Sequence, residues 1–108
     1  VGVGNLQAGG TGKTPLTIRI ARDAIAGGSQ VAVLTRGYRS YWETRGGVLS
    51  PEDPLPSPDL CGDEAALIRD RVPGVWIGVG ADRVAQFEKL QSSAALRTGR
   101  GFDLVILD

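Results

Sequence analysis

Residues 3–15 read VGNLQAGGTGKTP, and this stretch decides the fold of the chain. The apolar run over residues 1–6 predicts a short buried strand, and a glycine-rich turn follows at residues 7–12. A helix is predicted to begin near Thr14, because Pro15 suits the first helical position, where its missing N–H is not needed. A strand, a glycine-rich turn and a helix in direct succession are typical of a phosphate-binding loop.

The chemistry of this loop suits a nucleoside triphosphate. Glycines let backbone N–H groups surround phosphate oxygens without Cβ clashes, and the following helix adds free N–H groups and the positive end of its dipole. Lys13 is predicted to reach the β- and γ-phosphates, and the Thr14 hydroxyl to bind Mg²⁺. The predicted nucleotide-binding residues are Gln7, Ala8, Gly9, Gly10, Thr11, Gly12, Lys13 and Thr14.

The loop departs from the usual G-x-x-x-x-G-K-[ST] pattern at its first position, where Gln7 replaces glycine. A glycine-rich turn with a chance Lys-Thr pair therefore stays open as an alternative. A dinucleotide-binding loop fits less well, because the third glycine of G-x-G-x-x-G is missing after Gly2 and Gly4. Arg36 also stands where that fold places an acidic residue, at the end of the second strand.

Strands and helices alternate along the rest of the chain. Further strands are predicted at residues 30–35, 75–79 and 104–107, and further helices at residues 62–70 and 83–96. In the first helix, an apolar stripe at helical spacing predicts the buried face: Leu16, Ile20, Ala21, Ala24 and Ile25. Residues 36–61 form a long, proline-rich loop insertion, with one short strand predicted at residues 47–49.

This alternation predicts an α/β fold, P-loop NTPase-like, with three α/β/α layers and a mainly parallel sheet. In such sheets, ligands bind at the carboxyl ends of the strands. The phosphate-binding loop, residues 36–38, Gly80 and Asp108 all fall at predicted carboxyl ends. We therefore expect one ligand site along that edge.

Composition limits the chemistry. The chain has 108 residues, enough for one small domain, and its 12 basic and 12 acidic side chains cancel, so no net field attracts nucleic acid. Histidine is absent, so acid–base chemistry within the chain needs carboxylates or lysine. The single cysteine, Cys61, excludes an internal disulfide. Both ends lie in apolar runs, which predicts a fragment truncated at both ends of a larger protein.

Five segments in order resemble the tetraacyldisaccharide 4′-kinase family, the lipid A kinases of Gram-negative bacteria. The resemblance begins with the phosphate-binding loop, because that family's loop also commonly lacks the first glycine. The other four segments are Leu34-Thr35-Arg36-Gly37-Tyr38, Gly62-Asp63-Glu64, Ala81-Asp82-Arg83-Val84 and the strand leading to Asp108. One departure is Ala65, where the family normally has proline. The resemblance spans essentially the whole chain.

The resemblance implies a function and a set of site residues. The family transfers the γ-phosphate of ATP to the 4′-hydroxyl of a tetraacyldisaccharide 1-phosphate, at the cytoplasmic face of the inner membrane. It implies ATP and Mg²⁺ as cofactors, and a lipid-linked disaccharide and the membrane surface as partners. Carried over, Lys13 neutralises phosphate charge and Asp63 is the general base, while Thr14, Glu64 and Asp108 hold Mg²⁺. The family's second lobe and its remaining catalytic residues would lie beyond Asp108.

Two other classes stay open on the residues alone. One is another P-loop NTPase, a GTPase-type metallochaperone or a partitioning ATPase. Ala8 counts against the partitioning ATPases, which place lysine before the Gly-Gly pair, and the lack of Cys and His motifs counts against the metallochaperones. The other class is a nucleotide-binding fragment without catalysis. Asp63 and Glu64 could also be first-turn acids that offset a helix dipole.

Overall fold

The computed structural model describes the backbone of residues 4–7 and all of residues 14–108. The chain forms five strands and five helices within these residues. The strands are β1 (Gly4–Gln7), β2 (Val31–Thr35), β3 (Gly47–Leu49), β4 (Trp76–Val79) and β5 (Leu104–Leu107). The helices are α1 (Thr14–Ala26), α2 (Trp42–Arg45), α3 (Pro58–Cys61), α4 (Asp63–Arg71) and α5 (Arg83–Thr98).

The five strands form one sheet in the order β1-β5-β2-β4-β3. The β1–β5, β5–β2 and β2–β4 pairs are parallel, and β3 pairs antiparallel with β4 at the edge. The mainly parallel α/β sheet expected from the sequence is therefore confirmed. Since β5 lies between β1 and β2, the residue after β5 lies next to the strand that leads into the phosphate-binding loop.

Both faces of the sheet are covered, which makes three layers. On one face Val31, Val33 and Ile106 contribute to a core with α1 and α4. On the other face Ala32 and Leu34 contribute to a core with α5. Alternate residues of β2 thus enter opposite cores, and this explains why all five of its residues are buried.

The buried face of α1 agrees with the predicted one at Ala21 and differs from it at Leu16. Leu16 is exposed, whereas Thr14, Thr17 and Ala21 are the buried residues of the helix. Of the other predicted stripe residues, Ile20, Ala24 and Ile25 are partly buried against the core. The prediction placed Leu16 inside because it used hydrophobicity alone, and the helix instead buries two threonines, Thr14 and Thr17.

The segment 36–61 is more regular than predicted. It contains the expected strand β3, and also two single-turn helices, α2 and α3, that the proline-rich composition did not indicate. Ser57 caps α3 by accepting a hydrogen bond from the backbone N–H of Asp59 at 3.1 Å. Arg69 of α4 holds the intervening loop by donating to the carbonyl oxygens of Ser50 (3.3 Å) and Pro51 (2.7 Å).

No helix in the part of the chain that the structure describes combines the length and the apolar character needed to cross a membrane.

Candidate functional site

The carboxyl ends of the parallel strands lie together at one edge of the sheet. Gln7, the last residue of β1, is in register with Leu107, the last residue of β5. Asp108 therefore follows the strand that lies next to β1. Of the predicted nucleotide-binding residues, six lie outside the described residues: Ala8, Gly9, Gly10, Thr11, Gly12 and Lys13.

Helix α1 directs two hydroxyl groups at two carboxylates beside this edge. The Thr14 hydroxyl donates to Oε2 of Glu64 at 2.7 Å, joining the first turn of α1 to the first turn of α4. One turn further along α1, the Thr17 hydroxyl donates to Oδ1 of Asp108 at 2.7 Å. The three residues predicted to hold Mg²⁺, Thr14, Glu64 and Asp108, are thus brought to one place from three separate elements.

The Asp108 carboxyl is in an environment that disfavours its charge. Burial is the main cause that raises its pKa to about 6, and the nearby Glu64 carboxylate adds to the rise. The Thr17 hydrogen bond and the positive charge of Arg83 act in the opposite direction. Oδ2 of Asp108 is buried and accepts no hydrogen bond from the described residues.

These groups fit a magnesium ion. Mg²⁺ prefers oxygen ligands, and it is usually held by one or two carboxylates together with phosphate oxygens and water. The site offers a hydroxyl and two neighbouring carboxylates, and one carboxylate oxygen, Oδ2 of Asp108, is buried without a partner among the described residues. Among those same residues, no group of three or more His, Cys, Asp or Glu side chains could hold a metal by itself.

The raised pKa of Asp108 predicts a pH dependence for the metal-free protein. Its folded pKa of about 6 lies above the ordinary value of 3.8, so the native state binds more protons than the unfolded state between these values. The stabilising contribution is therefore complete below the ordinary value and is lost as the pH rises through 6. In the presence of a metal chelator, lowering the pH from 7 to 5 should raise the free energy of unfolding of the wild-type protein more than that of the Asp108→Asn variant. Equal pH dependence in urea titrations of both proteins would contradict this.

Two glycines bring the Arg36-Gly37-Tyr38 segment against the start of α4. Gly37 and Gly62 have φ angles of 73° and 96°, in the left-handed region that favours glycine. A Cβ on Gly62 would lie 3.2 Å from the Cα of Gly37, so the two backbones are in close contact. This contact forms one side of a cavity of about 150 Å³, lined by Gly37, Tyr38, Gly62, Asp63 and Glu64.

Asp63, the predicted base, lies in this cavity with its side chain exposed. Glu64, the next residue of α4, contacts Thr14, so the cavity adjoins the candidate metal site. Asp63 is therefore placed where it can meet a substrate, next to the carboxylates that could hold Mg²⁺. The two acids also fall in the first turn of α4, where they offset the helix dipole. That electrostatic role and a role at the site are compatible.

The contact at Gly37 predicts a large cost for a side chain there. Gly37→Ala would bring a methyl group into Val79 and to 2.8 Å from the Ser40 hydroxyl. The left-handed φ costs about 1–2 kcal/mol and the overpacking about 1–3 kcal/mol more. We expect the free energy of unfolding of the intact protein to fall by about 2–5 kcal/mol in urea titrations.

Gly99 provides the matched control for Gly37. Its φ of 74° is nearly the same, but a Cβ there would meet nothing within 4 Å. Gly99→Ala should therefore show only the backbone cost of about 1–2 kcal/mol. An equal loss of stability in the two variants would show that the close contact at Gly37 adds nothing to the cost of the substitution.

Arg36 is turned toward α2. Its Nε forms an ion pair with Oε2 of Glu43 at 2.9 Å, and the other Glu43 oxygen accepts from the backbone N–H of Arg39 at 3.1 Å. The hydrogen bond from Arg36 is the main cause that lowers the pKa of Glu43. The backbone carbonyl of Glu43 also accepts from the N–H of Ala81, after β4, at 2.8 Å. Glu43 thus fixes the segment after β2.

Two residues at the site were not assigned a role from the sequence. Arg83 lay within a segment that resembles the family, and its Nη2 donates to the backbone carbonyl of Asp108 at 3.2 Å. Thr17 carried no motif signal, since a threonine within a helix usually reflects packing alone. The available signal was the 3-residue spacing from Thr14, which places the two hydroxyls on one helix face.

This arrangement defines an α/β domain with an oxygen-rich site at the start of α1. The family model described as tetraacyldisaccharide-1-P 4′-kinase, or LpxK, matches residues 1–108, the whole chain. The chain therefore belongs to the tetraacyldisaccharide 4′-kinase family. Membership of this kinase family excludes the GTPase-type and partitioning ATPase alternatives.

Individual relatives support the same assignment. The tetraacyldisaccharide 4′-kinase of Pelobacter propionicus is 44% identical over 84 residues, which cover 77% of this chain and 23% of that protein. That of Syntrophus aciditrophicus is 39% identical, covering 100% of this chain and 28% of the relative. The chain thus spans about a quarter of the length of these curated relatives.

A solved structure shares the fold. A crystal structure of LpxK from Aquifex aeolicus in complex with ATP superposes with a TM-score of 0.66 at 28% identity. The match covers 97% of this chain and 31% of that one. The P-loop NTPase-like α/β fold expected from the sequence is confirmed by this likeness.

Proposed function

We propose that the intact protein carrying this chain transfers the γ-phosphate of ATP to the 4′-hydroxyl of a tetraacyldisaccharide 1-phosphate. The observation that carries the proposal is the meeting of Thr14, Glu64 and Asp108 at the start of α1. Family membership supplies the reaction, and an ATP complex of the Aquifex aeolicus relative supports the nucleotide. The chain itself would be the nucleotide-binding lobe, with residues 36–61 as its insertion.

Charge neutralisation and positioning account for most of the catalysis of phosphoryl transfer. In this proposal, Lys13 and the loop at residues 7–12 hold the triphosphate, while Thr14, Glu64 and Asp108 hold Mg²⁺. When bound, the ion would supply positive charge that offsets the charge of the phosphate oxygens. Oδ2 of Asp108, buried and without a partner among the described residues, supports such a role, because a cation there would offset the buried charge.

Asp63 is proposed as the general base. The sequence has no histidine, and the Asp63 carboxylate is exposed in the cavity next to Glu64. Its carboxylate would accept the proton of the sugar hydroxyl as that oxygen bonds to the γ-phosphorus. The bond from the γ-phosphorus to the β,γ-bridging oxygen breaks at the same time, and ADP leaves.

The lipid partner and the membrane location belong to the same proposal. Tyr38, which lines the cavity, is 65% exposed, and Tyr41, at the start of α2, is 55% exposed. Aromatic rings with a polar tip favour boundaries between apolar and wet surroundings. We propose that these rings face the lipid-linked substrate at the cytoplasmic face of the inner membrane.

Transfer of label from [γ-³²P]ATP to a tetraacyldisaccharide 1-phosphate, with Mg²⁺ and the intact protein, tests the proposed function. The expected result is a labelled lipid bisphosphate. A lipid whose 4′-hydroxyl is already phosphorylated is the control and should remain unlabelled. Failure of the intact wild-type protein to label the acceptor lipid would refute the proposed activity.

A further inference from the structure

Thr17 is the second hydroxyl on the buried face of α1. It lies three residues after Thr14, so the two side chains project from the same face of the helix. Thr17 has 0% exposure, and its hydroxyl donates to Oδ1 of Asp108 at 2.7 Å. This hydrogen bond joins residues that are 91 positions apart in the sequence.

Because Thr17 is fully buried, its hydroxyl needs a hydrogen-bond partner within the protein. A buried hydroxyl is unfavourable unless it is hydrogen-bonded, and an aliphatic side chain of similar volume would pack there without that requirement. Ala21, the next buried residue of the same face, shows that the surroundings are apolar. The role of the Thr17 hydroxyl must therefore be sought in its bond to Asp108.

That bond restricts how the Asp108 carboxylate can rotate. The terminal torsion of an aspartate is broad and roughly two-fold, so an unheld carboxylate can present either oxygen in many directions. With Oδ1 bound to Thr17, Oδ2 is the oxygen that has no partner among the described residues. The backbone of Asp108 is held as well, since its N–H donates to the carbonyl of Leu34 at 2.8 Å.

We propose that Thr17 is a positioning residue for the metal site, and this rests on the proposed function. Thr17 fixes one oxygen of Asp108, so that the other is oriented for Mg²⁺ before the nucleotide arrives. Removal of a residue that hydrogen-bonds to a metal ligand typically weakens metal affinity by about 10–100-fold. Thr17 does not contact the substrate, and it acts only through Asp108.

The test compares two substitutions in the intact protein. Thr17→Val removes the hydroxyl and keeps the branched shape, whereas Thr17→Ser keeps the hydroxyl and removes a methyl group. Mn²⁺ binding is followed by electron paramagnetic resonance in the presence of a non-hydrolysable ATP analogue. We expect about tenfold weaker Mn²⁺ binding for Thr17→Val and a change of less than about twofold for Thr17→Ser. Affinity for the metal-free analogue should be unchanged in both.

The outcomes separate this inference from the proposed function. Wild-type affinity for Mn²⁺ in Thr17→Val would overturn the positioning role and leave the kinase proposal standing. Equal losses in the valine and serine variants would also overturn it, because packing and not the hydroxyl would be responsible. Absence of Mn²⁺–nucleotide binding by the wild type would overturn both. If Thr17→Val does not fold, Thr17→Ala replaces it, with the same tenfold loss expected.

Discussion

Asp63→Asn is expected to lower kcat by about 10²–10⁴-fold while leaving nucleotide affinity nearly unchanged. The amide has almost the same shape as the carboxylate but cannot take the proton of the sugar hydroxyl. Because Asp63 is exposed in its cavity and makes no side-chain hydrogen bond to other described residues, the substitution should not disturb the fold. Steady-state kinetics and equilibrium binding of the nucleotide, measured on the intact protein, separate the two effects.

Asp70→Asn is the matched control for this experiment. Asp70 is also an exposed aspartate of α4, near the opposite end of the helix, so its substitution changes the net charge equally. Its kcat should stay within about twofold of wild type, as expected for a surface change far from the site. Equal losses of kcat and nucleotide affinity in Asp63→Asn would argue against a base and for a role in binding.

Lys13→Ala is expected to reduce kcat by at least about 10²–10³-fold, the usual cost of removing one charge-stabilising group from a transition state. The expectation comes from the sequence, because Lys13 follows Gly12 in the loop and precedes the first residue of α1. Its ammonium group would offset the negative charge that develops on the β- and γ-phosphates. Label transfer to the lipid measures the loss.

The chain offers a direct control for the lysine experiment. Lys89 is the one other lysine of the sequence, and it is exposed on α5, on the opposite side of the sheet from α1. Lys89→Ala should retain wild-type activity. If Lys13→Ala is as active as Lys89→Ala and the wild-type protein, Lys13 has no part in the mechanism.

The sheet was predictable because its strands carry strong local signals. Val31–Thr35 and Leu104–Leu107 are nearly continuous apolar runs, which indicate strands covered on both faces. The start of α5 also carries a local signal, because aspartate is a favoured N-cap residue and Oδ1 of Asp82 accepts from the N–H of Ala85 at 3.1 Å. The order β1-β5-β2-β4-β3 required the structure, because local periodicity does not specify which strands become neighbours.

Site residues could be predicted from the sequence only where they belong to a recognisable motif. Thr14, Asp63, Glu64 and Asp108 belong to segments that resemble the family, and the structure places them near one edge of the sheet. Thr17 was missed because its partner is 91 residues away. Leu16 was placed wrongly because the apolar stripe does not indicate that Thr14 and Thr17 lie on the buried face of α1.

The central claim is that Thr14, Glu64 and Asp108 hold the metal that accompanies the nucleotide. An anomalous difference map at the manganese absorption edge tests it directly, on crystals of the intact protein grown with Mn²⁺ and a non-hydrolysable ATP analogue. We predict an anomalous peak in contact with the Thr14 hydroxyl and at least one of the two carboxylates. A bound nucleotide whose manganese peak lies away from all three residues would contradict the claim.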